Sequence, residues 1–483
     1  MDPMIVLAYI AILLMIGVLC TFVSRMLRLP YNLILLLLGL FLGSLFVSGS
    51  PLVQIDSGFI VAIGTLMLVL LVFDSAARMR VDEVSPDALP SIRLMDLFVI
   101  FSIVIVSSVT AWLFFPAFTL SAILFSLIFA VLMVETDLGE VLHLFKDFAK
   151  ERAKHILKFL ETEADLNTAF VIIFPFIVLS LIHNSDFENR SLLDAILFNL
   201  PSFLYEILIA IGMGIIVGLI VLRVMQRWYD KHLSPIALVA AALVGYIFTN
   251  MLGGNGIIAV AVMGFFFGNI YVSGKEQLVE FGRMLSGSLE IMVFILLGLA
   301  VRLPVSASYV FKSLLIFAVI LGVRSLASFI ALRHQPFTKR EKAFIGLNMP
   351  KGVALATVLL MLSTYSIFEL DVVLQLSLMV MIYSIAWSYL LDFYAVRFLH
   401  EEVALQGSSP VSRLKVLEMR LDVPAKAPSG SRKPKAKKLS GKRKPKNVAK
   451  RKKPIAVKAR KAKPKKRSVS RPKPSKKRSK KRR

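Results

Sequence analysis

Apolar stretches of about 20 residues, each long enough to cross a bilayer as a helix, follow one another along most of this chain. They predict helices near 4–24, 31–48, 58–77, 96–115, 120–145, 158–182, 203–225, 235–252, 256–273, 287–303, 312–332, 343–363 and 371–392. The loops between them alternate in charge. Arg25 and Arg28 follow the first window, Arg78, Arg80 and Arg93 the third, and Lys146, Lys150, Arg152 and Lys154 the fifth. Arg227 with Lys231, Lys275 with Arg283, and Arg333 with Lys339, Arg340 and Lys342 continue the series, whereas GSPLVQIDSG, FPAFTLS and TYSIFEL are almost free of Lys and Arg. Basic residues collect on the cytoplasmic side, so about thirteen spans with the amino terminus outside and the carboxyl terminus inside satisfy both count and charge. The first window has no basic leader and no small-residue cleavage site, and reads as a retained helix.

Ionisable residues at membrane depth cost roughly 2.5 to 3.5 kcal/mol each and mark pathways or buried pairs. The candidates are Asp74, Glu135, Asp137, Glu163, Asp165, Glu290, Arg324 and Lys351. Two of these positions coincide with helix breakers. Thr136, Asp137 and Gly139 interrupt the fifth window, and Pro350, Lys351 and Gly352 the twelfth. Half-helix ends carry partial charges, so an acid facing the positive ends and a base facing the negative ones are each stabilised. Broken helices in corresponding positions of two halves point to an ion site in an inverted-repeat transporter; with the seventh span as linker, the fifth and twelfth fall in register. In FLETEADLNTAFVII, about 100° per residue puts Glu163 and Asn167 on one face and Asp165 with Thr168 on another. Glu163 then pairs with Lys351 or Arg324, while Asp165 and Thr168 offer oxygens to a hard cation. A solvated helix start or N-cap is the competing role for Asp165.

Of the 483 residues, 57% are hydrophobic, and the mean hydropathy is +0.73. The net charge of +27 misrepresents most of the chain, because 30 Lys and Arg and no acid fall from Val423 onward, leaving −3 for the rest. Residues 1–396 read as the membrane domain, 397–422 as a cytoplasmic linker and 423–483 as a disordered tail, too poor in large apolar groups to offset its ordering entropy. Beside a membrane such a tail suits anionic lipid, or nucleic acid through the same charge. The single Cys20 excludes an internal disulfide or a cysteine metal cluster. The chain shows no phosphate loop, metal-ligand cluster or nucleophile triad, so neither an enzyme nor a cofactor is expected.

Ordered along residues 15–365, several segments resemble the cation:proton antiporter superfamily, and within it the NhaP-like sodium/proton exchangers. RMLRLPYNLILLLLGLFLG is similar to that family's second span, GYIFTNMLGGNGIIAVAVMGFFFGN to a later helix pair, and SLEIMVFILLGLAV and VRSLASF to the two spans after it. The resemblance implies an all-α integral membrane fold of about thirteen helices in an inverted repeat with two broken crossing helices, and a homodimer. It makes Thr136 and Asp137 the family's Thr-Asp pair, Glu163 and Asn167 its glutamate and asparagine, Arg324 its buried arginine, and Lys351 the base of the twelfth span. The chain departs from the pattern at Leu138, where proline is usual, at Ala164, where serine is, and at Thr168, which replaces the family's cation-binding aspartate.

The expected activity is exchange of sodium or potassium for protons across the plasma membrane of a prokaryotic cell. Asp137, Thr136, Asp165, Thr168 and Asn167 are the candidate cation and proton ligands, supported by ion pairs among Glu163, Arg324 and Lys351. One working carboxylate gives one proton per cation; Asp137 and Asp165 together give two, and sensitivity to voltage. The rival reading is a transport-inactive membrane anchor or sensor presenting its polybasic tail, favoured by the loss of aspartate at Thr168.

Overall fold

The computed structural model describes residues 3–27, 29–47, 50–51, 56–79, 88–116, 119–137, 151–183, 192–271, 274–304, 306–365 and 367–406, all within one unit, Met1–Arg413. Arg28, Arg80, Leu138, Gly139, Lys146, Lys150 and everything from 407, hence the tail and most of the linker, lie outside the described residues.

The described chain is helical throughout its spans. In order come α1 (Pro3–Leu27), α2 (Tyr31–Gly43), α3 (Ser57–Arg78), α4 (Ala88–Phe101), a π-helical turn (Ser102–Val106), α5 (Ser107–Phe114) and α6 (Leu120–Leu132). After these are α7 (Glu151–His183), α8 (Leu192–Arg227), α9 (Leu233–Met251), α10 (Gly256–Asn269), α11 (Lys275–Ala300), α12 (Ala307–Ala331), α13 (Lys339–Leu347), α14 (Val353–Leu362) and α15 (Phe368–Gln406). Among the described residues, nine stretches are long and apolar enough to cross a membrane and four shorter apolar helices accompany them. Each falls in a different one of the windows read from the sequence. The protein is a multi-pass membrane protein.

Several ends differ from the hydropathy windows for local reasons. The second window runs to 48, yet α2 stops at Gly43, where the Ser44 hydroxyl donates to the Phe41 carbonyl at 2.7 Å. The chain then turns into a small hairpin, Phe46–Val47 (β1) antiparallel to Ser50–Pro51 (β2). At the other extreme, α7 begins at Glu151, because the charged run before the apolar window contains no Gly or Pro to stop it. Caps set other starts. Thr119 accepts from the Ala122 N–H at 3.2 Å at the head of α6, and Thr338 with Glu341 forms a capping box on α13. Between α9 and α10, Gly253 takes the left-handed φ of 77°, and Asn255 caps the Ile257 and Ile258 N–H groups.

Small residues bring helices together where lipid offers no hydrophobic drive. Gly264 and Gly268, one turn apart on α10, meet the backbone of α3; a methyl built on Gly264 would fall 2.5 Å from the Phe73 carbonyl oxygen. Gly245, by contrast, has only ordinary contact with Val217. Gly264→Val should therefore push α10 off α3 and cost about 1–3 kcal/mol. Gly282→Ala, at a position with nothing within 4 Å, should leave stability unchanged or raise it slightly. Melting temperatures in detergent compare the two, and equal values would refute this account of the α3–α10 contact.

Candidate functional site

The site is organised by two interruptions that meet. Helix α6 ends at Leu132, 133–134 turn and 135–137 form no regular secondary structure; α13 ends at Leu347, and the chain runs irregularly through Pro350 and Lys351 before α14 starts. Proline removes a donor, and an N-terminal helix end has N–H groups with no partner of their own, so each break exposes polar backbone that the other satisfies. The Asp137 N–H donates to the Pro350 carbonyl at 2.8 Å. The Lys351 ammonium donates to the Met133 carbonyl at 2.7 Å and to the Glu135 carbonyl, at the carboxyl end of α6. In return the Gly352 N–H, at the head of α14, donates to both Glu135 carboxylate oxygens at 3.1 and 3.2 Å. Charge thus opposes partial charge at both ends. Lys351 and Glu135 are 2% and 1% exposed, so neither is solvated by bulk water. A side chain on Gly352 would run into the Asp137 carboxylate, which is why glycine stands at the crossing.

Behind the crossing, α7 and α12 are joined by a buried ion pair. Arg324 grips Glu163 with two parallel bonds of 2.8 Å, at 0% and 1% side-chain exposure, and its guanidinium lies 5.1 Å from the centre of the Phe98 ring. Of the two bases open to Glu163 in the sequence, the structure selects Arg324. Asn167, one turn along α7, donates to Glu163 at 2.8 Å and reaches Thr136 Oγ1 at 3.3 Å and the Val134 carbonyl at 3.4 Å. The asparagine is therefore a tie between α7 and the broken helix.

In front of the crossing lies a cavity of about 520 Å³. Thr136, Asp137, Asp165 and Thr168 all line it; Asn167 does not. The Thr168 hydroxyl donates back to the Ala164 carbonyl at 2.8 Å, which commits its proton and leaves its lone pairs toward the cavity. Asp165 stands well inside α7, which excludes the helix-start and N-cap reading. Its carboxylate faces Arg78 at 3.3 Å, and Arg78 also holds Asp74 at 2.5 Å on its own helix. The Ser75 hydroxyl donates to the Asp165 carbonyl at 3.1 Å, fastening α3 to α7 at the same level. Glu135, Arg78, Asp74, Glu161, Arg283 and Glu290 are among the lining residues that the sequence reading left out of the site. The V-E-T-D run and the i, i+4 spacing of Asp74 and Arg78 were visible signals, but only the fold brings α3 against α7.

The family of transmembrane sodium/hydrogen exchangers matches this chain over residues 10–392. The chain belongs to that family. A probable Na+/H+ antiporter 2 of Methanocaldococcus jannaschii is 26% identical over 383 residues, covering 75% of this chain and 86% of that protein. The K+/H+ antiporter NhaP2 of Shewanella sp. strain ANA-3 is 25% identical over 338 residues, 69% of this chain; the chain spans only 56% of that relative's length. Among solved structures, the sodium proton antiporter MjNhaP1 of M. jannaschii at pH 8 superposes with a TM-score of 0.64 at 20% identity, over 80% of this chain and all of that one. That likeness establishes the fold, and the resemblance to NhaP-like exchangers is borne out.

Proposed function

We propose that this protein exchanges Na+ or K+ for protons across the plasma membrane, with Asp137 as the carboxylate that alternates between proton and cation. The observation that carries the reading is the shared cavity at the crossing, where Asp137, Thr136 and Thr168 present oxygens beside two broken helices in a chain of the exchanger family. Hard alkali cations take oxygen ligands, and a carboxylate at membrane depth can bind a proton or a cation but not both at once. Relatives named for Na+/H+ and for K+/H+ antiport support the substrate class. Lys351 and Glu135 in the cavity wall, and the Arg324–Glu163–Asn167 chain beside it, support that reading by tying the broken helices to α7 and α12.

The same reading includes an inverted repeat of about thirteen spans, an external amino terminus, a homodimer, and a disordered cytoplasmic tail, 423–483, lying on anionic lipid. Protein reconstituted in liposomes with an internal pH dye tests the activity. Addition of sodium, potassium or lithium in turn should collapse an imposed proton gradient with at least one of them. Folded protein that collapses none would return the reading to a membrane anchor for the polybasic tail.

A further inference from the structure

Among the described residues, two arginine–carboxylate pairs join helices near the cavity, and they differ in kind. Arg324 and Glu163 are sealed at 0% and 1% exposure and joined by two short bonds, the geometry of a permanent fastening. Arg78 and Asp165 are 38% and 30% exposed, line the cavity, and share a single contact of 3.3 Å. Such a partly hydrated pair is worth little and exchanges readily. Arg78 also has somewhere to go, since Asp74 on its own helix holds it at 2.5 Å whether or not Asp165 does.

We propose that Arg78 is a tethered cation that competes with the transported ion for Asp165. With the cavity empty of substrate, the guanidinium neutralises Asp165 on the wall that also carries Thr168. An arriving alkali cation displaces it, Arg78 retreats onto Asp74, and the cation gains Asp165 and the Thr168 hydroxyl as transient oxygen ligands before reaching Asp137. Arg78 is thus a positioning residue that sets cation affinity. The inference rests on the exchange reading above. Acids outnumber bases around the cavity, with Asp74, Glu135, Asp137, Glu161, Asp165 and Glu290 facing Arg78, Arg283 and Lys351, so a cation entering it meets carboxylates already shared with a protein base, as Asp74 and Asp165 share Arg78.

The two roles predict opposite kinetics in the liposome assay. If Arg78 competes with substrate, Arg78→Gln lowers KM for the cation by about two- to fivefold with little change in maximal rate. Asp165→Asn raises KM, and the double variant Arg78→Gln/Asp165→Asn matches Asp165→Asn alone, because nothing remains to compete for. Arg78→Lys, which keeps the charge, restores a KM near that of the unaltered protein. If Arg78 merely fastens α3 to α7, Arg78→Gln lowers folded yield or maximal rate and leaves KM unchanged or raised, and that result overturns the proposal. An unaltered protein that exchanges no cation would instead overturn the exchange reading itself, so the two failures are distinguishable.

Discussion

Asp137→Asn is expected to abolish cation-driven proton movement in liposomes while leaving the protein folded. Asparagine keeps the shape of the side chain and the backbone N–H that donates to Pro350, so the crossing survives. What disappears is the charge. A monovalent cation at membrane depth without a counter-charge costs about 2.5 kcal/mol or more, roughly 100-fold in occupancy, and asparagine cannot carry a proton in the opposite half of the cycle. Both halves fail together. Retention of more than about a tenth of the exchange rate would move the essential carboxylate elsewhere, and Asp165→Asn measured alongside would show whether it is on α7. That companion variant should raise KM and still exchange, because Asp165 already has Arg78 as a partner.

Arg324→Leu should be the most damaging change to stability. It leaves the Glu163 carboxylate buried with only Asn167 donating to it, and stranding one member of a sealed pair costs about 3–5 kcal/mol. Pairing it with Glu163→Gln removes the stranded charge, so the double variant should melt above the single one. Lost yield in detergent and a fall in melting temperature report the single change. A single variant as stable as the double would show that Glu163 finds another partner, and Lys351 is the one to examine.

The spans and the two breaks were legible because their causes are local. An apolar run of sufficient length needs no partner to be recognised, and Pro350 with Gly352 announces an interruption from composition alone. The helical period on α7 also put Glu163 with Asn167 and Asp165 with Thr168, and in the structure the first two are bonded and the second two line one cavity. Partner choice was not legible. Whether Glu163 takes Arg324 or Lys351, and whether Arg78 reaches beyond Asp74 to Asp165, depends on how helices distant in sequence are set side by side. The acid that receives the Gly352 N–H is Glu135, two residues before the aspartate that the family pattern draws attention to. Helix ends were misjudged for a related reason. Hydropathy sees the bilayer, so it missed the first turns of α7, whose charged residues precede the apolar window.

The crossing also sets an order of events in the making of the protein. Lys351 and the Met133 carbonyl that it serves are 218 positions apart, and among the described residues the five long helices α7, α8, α9, α11 and α12 lie between them in the chain. A ribosome delivers α6 to the membrane long before α13 and α14 exist. Until they do, the end of α6, the Glu135 carboxylate and the polar run through Asp137 have no crossing partner and must be kept in contact with water or with insertion machinery. The ion pathway is therefore among the last parts of the molecule to close, and a chain that stops before Lys351 can fill the bilayer with helices yet never seal the place where they interrupt each other.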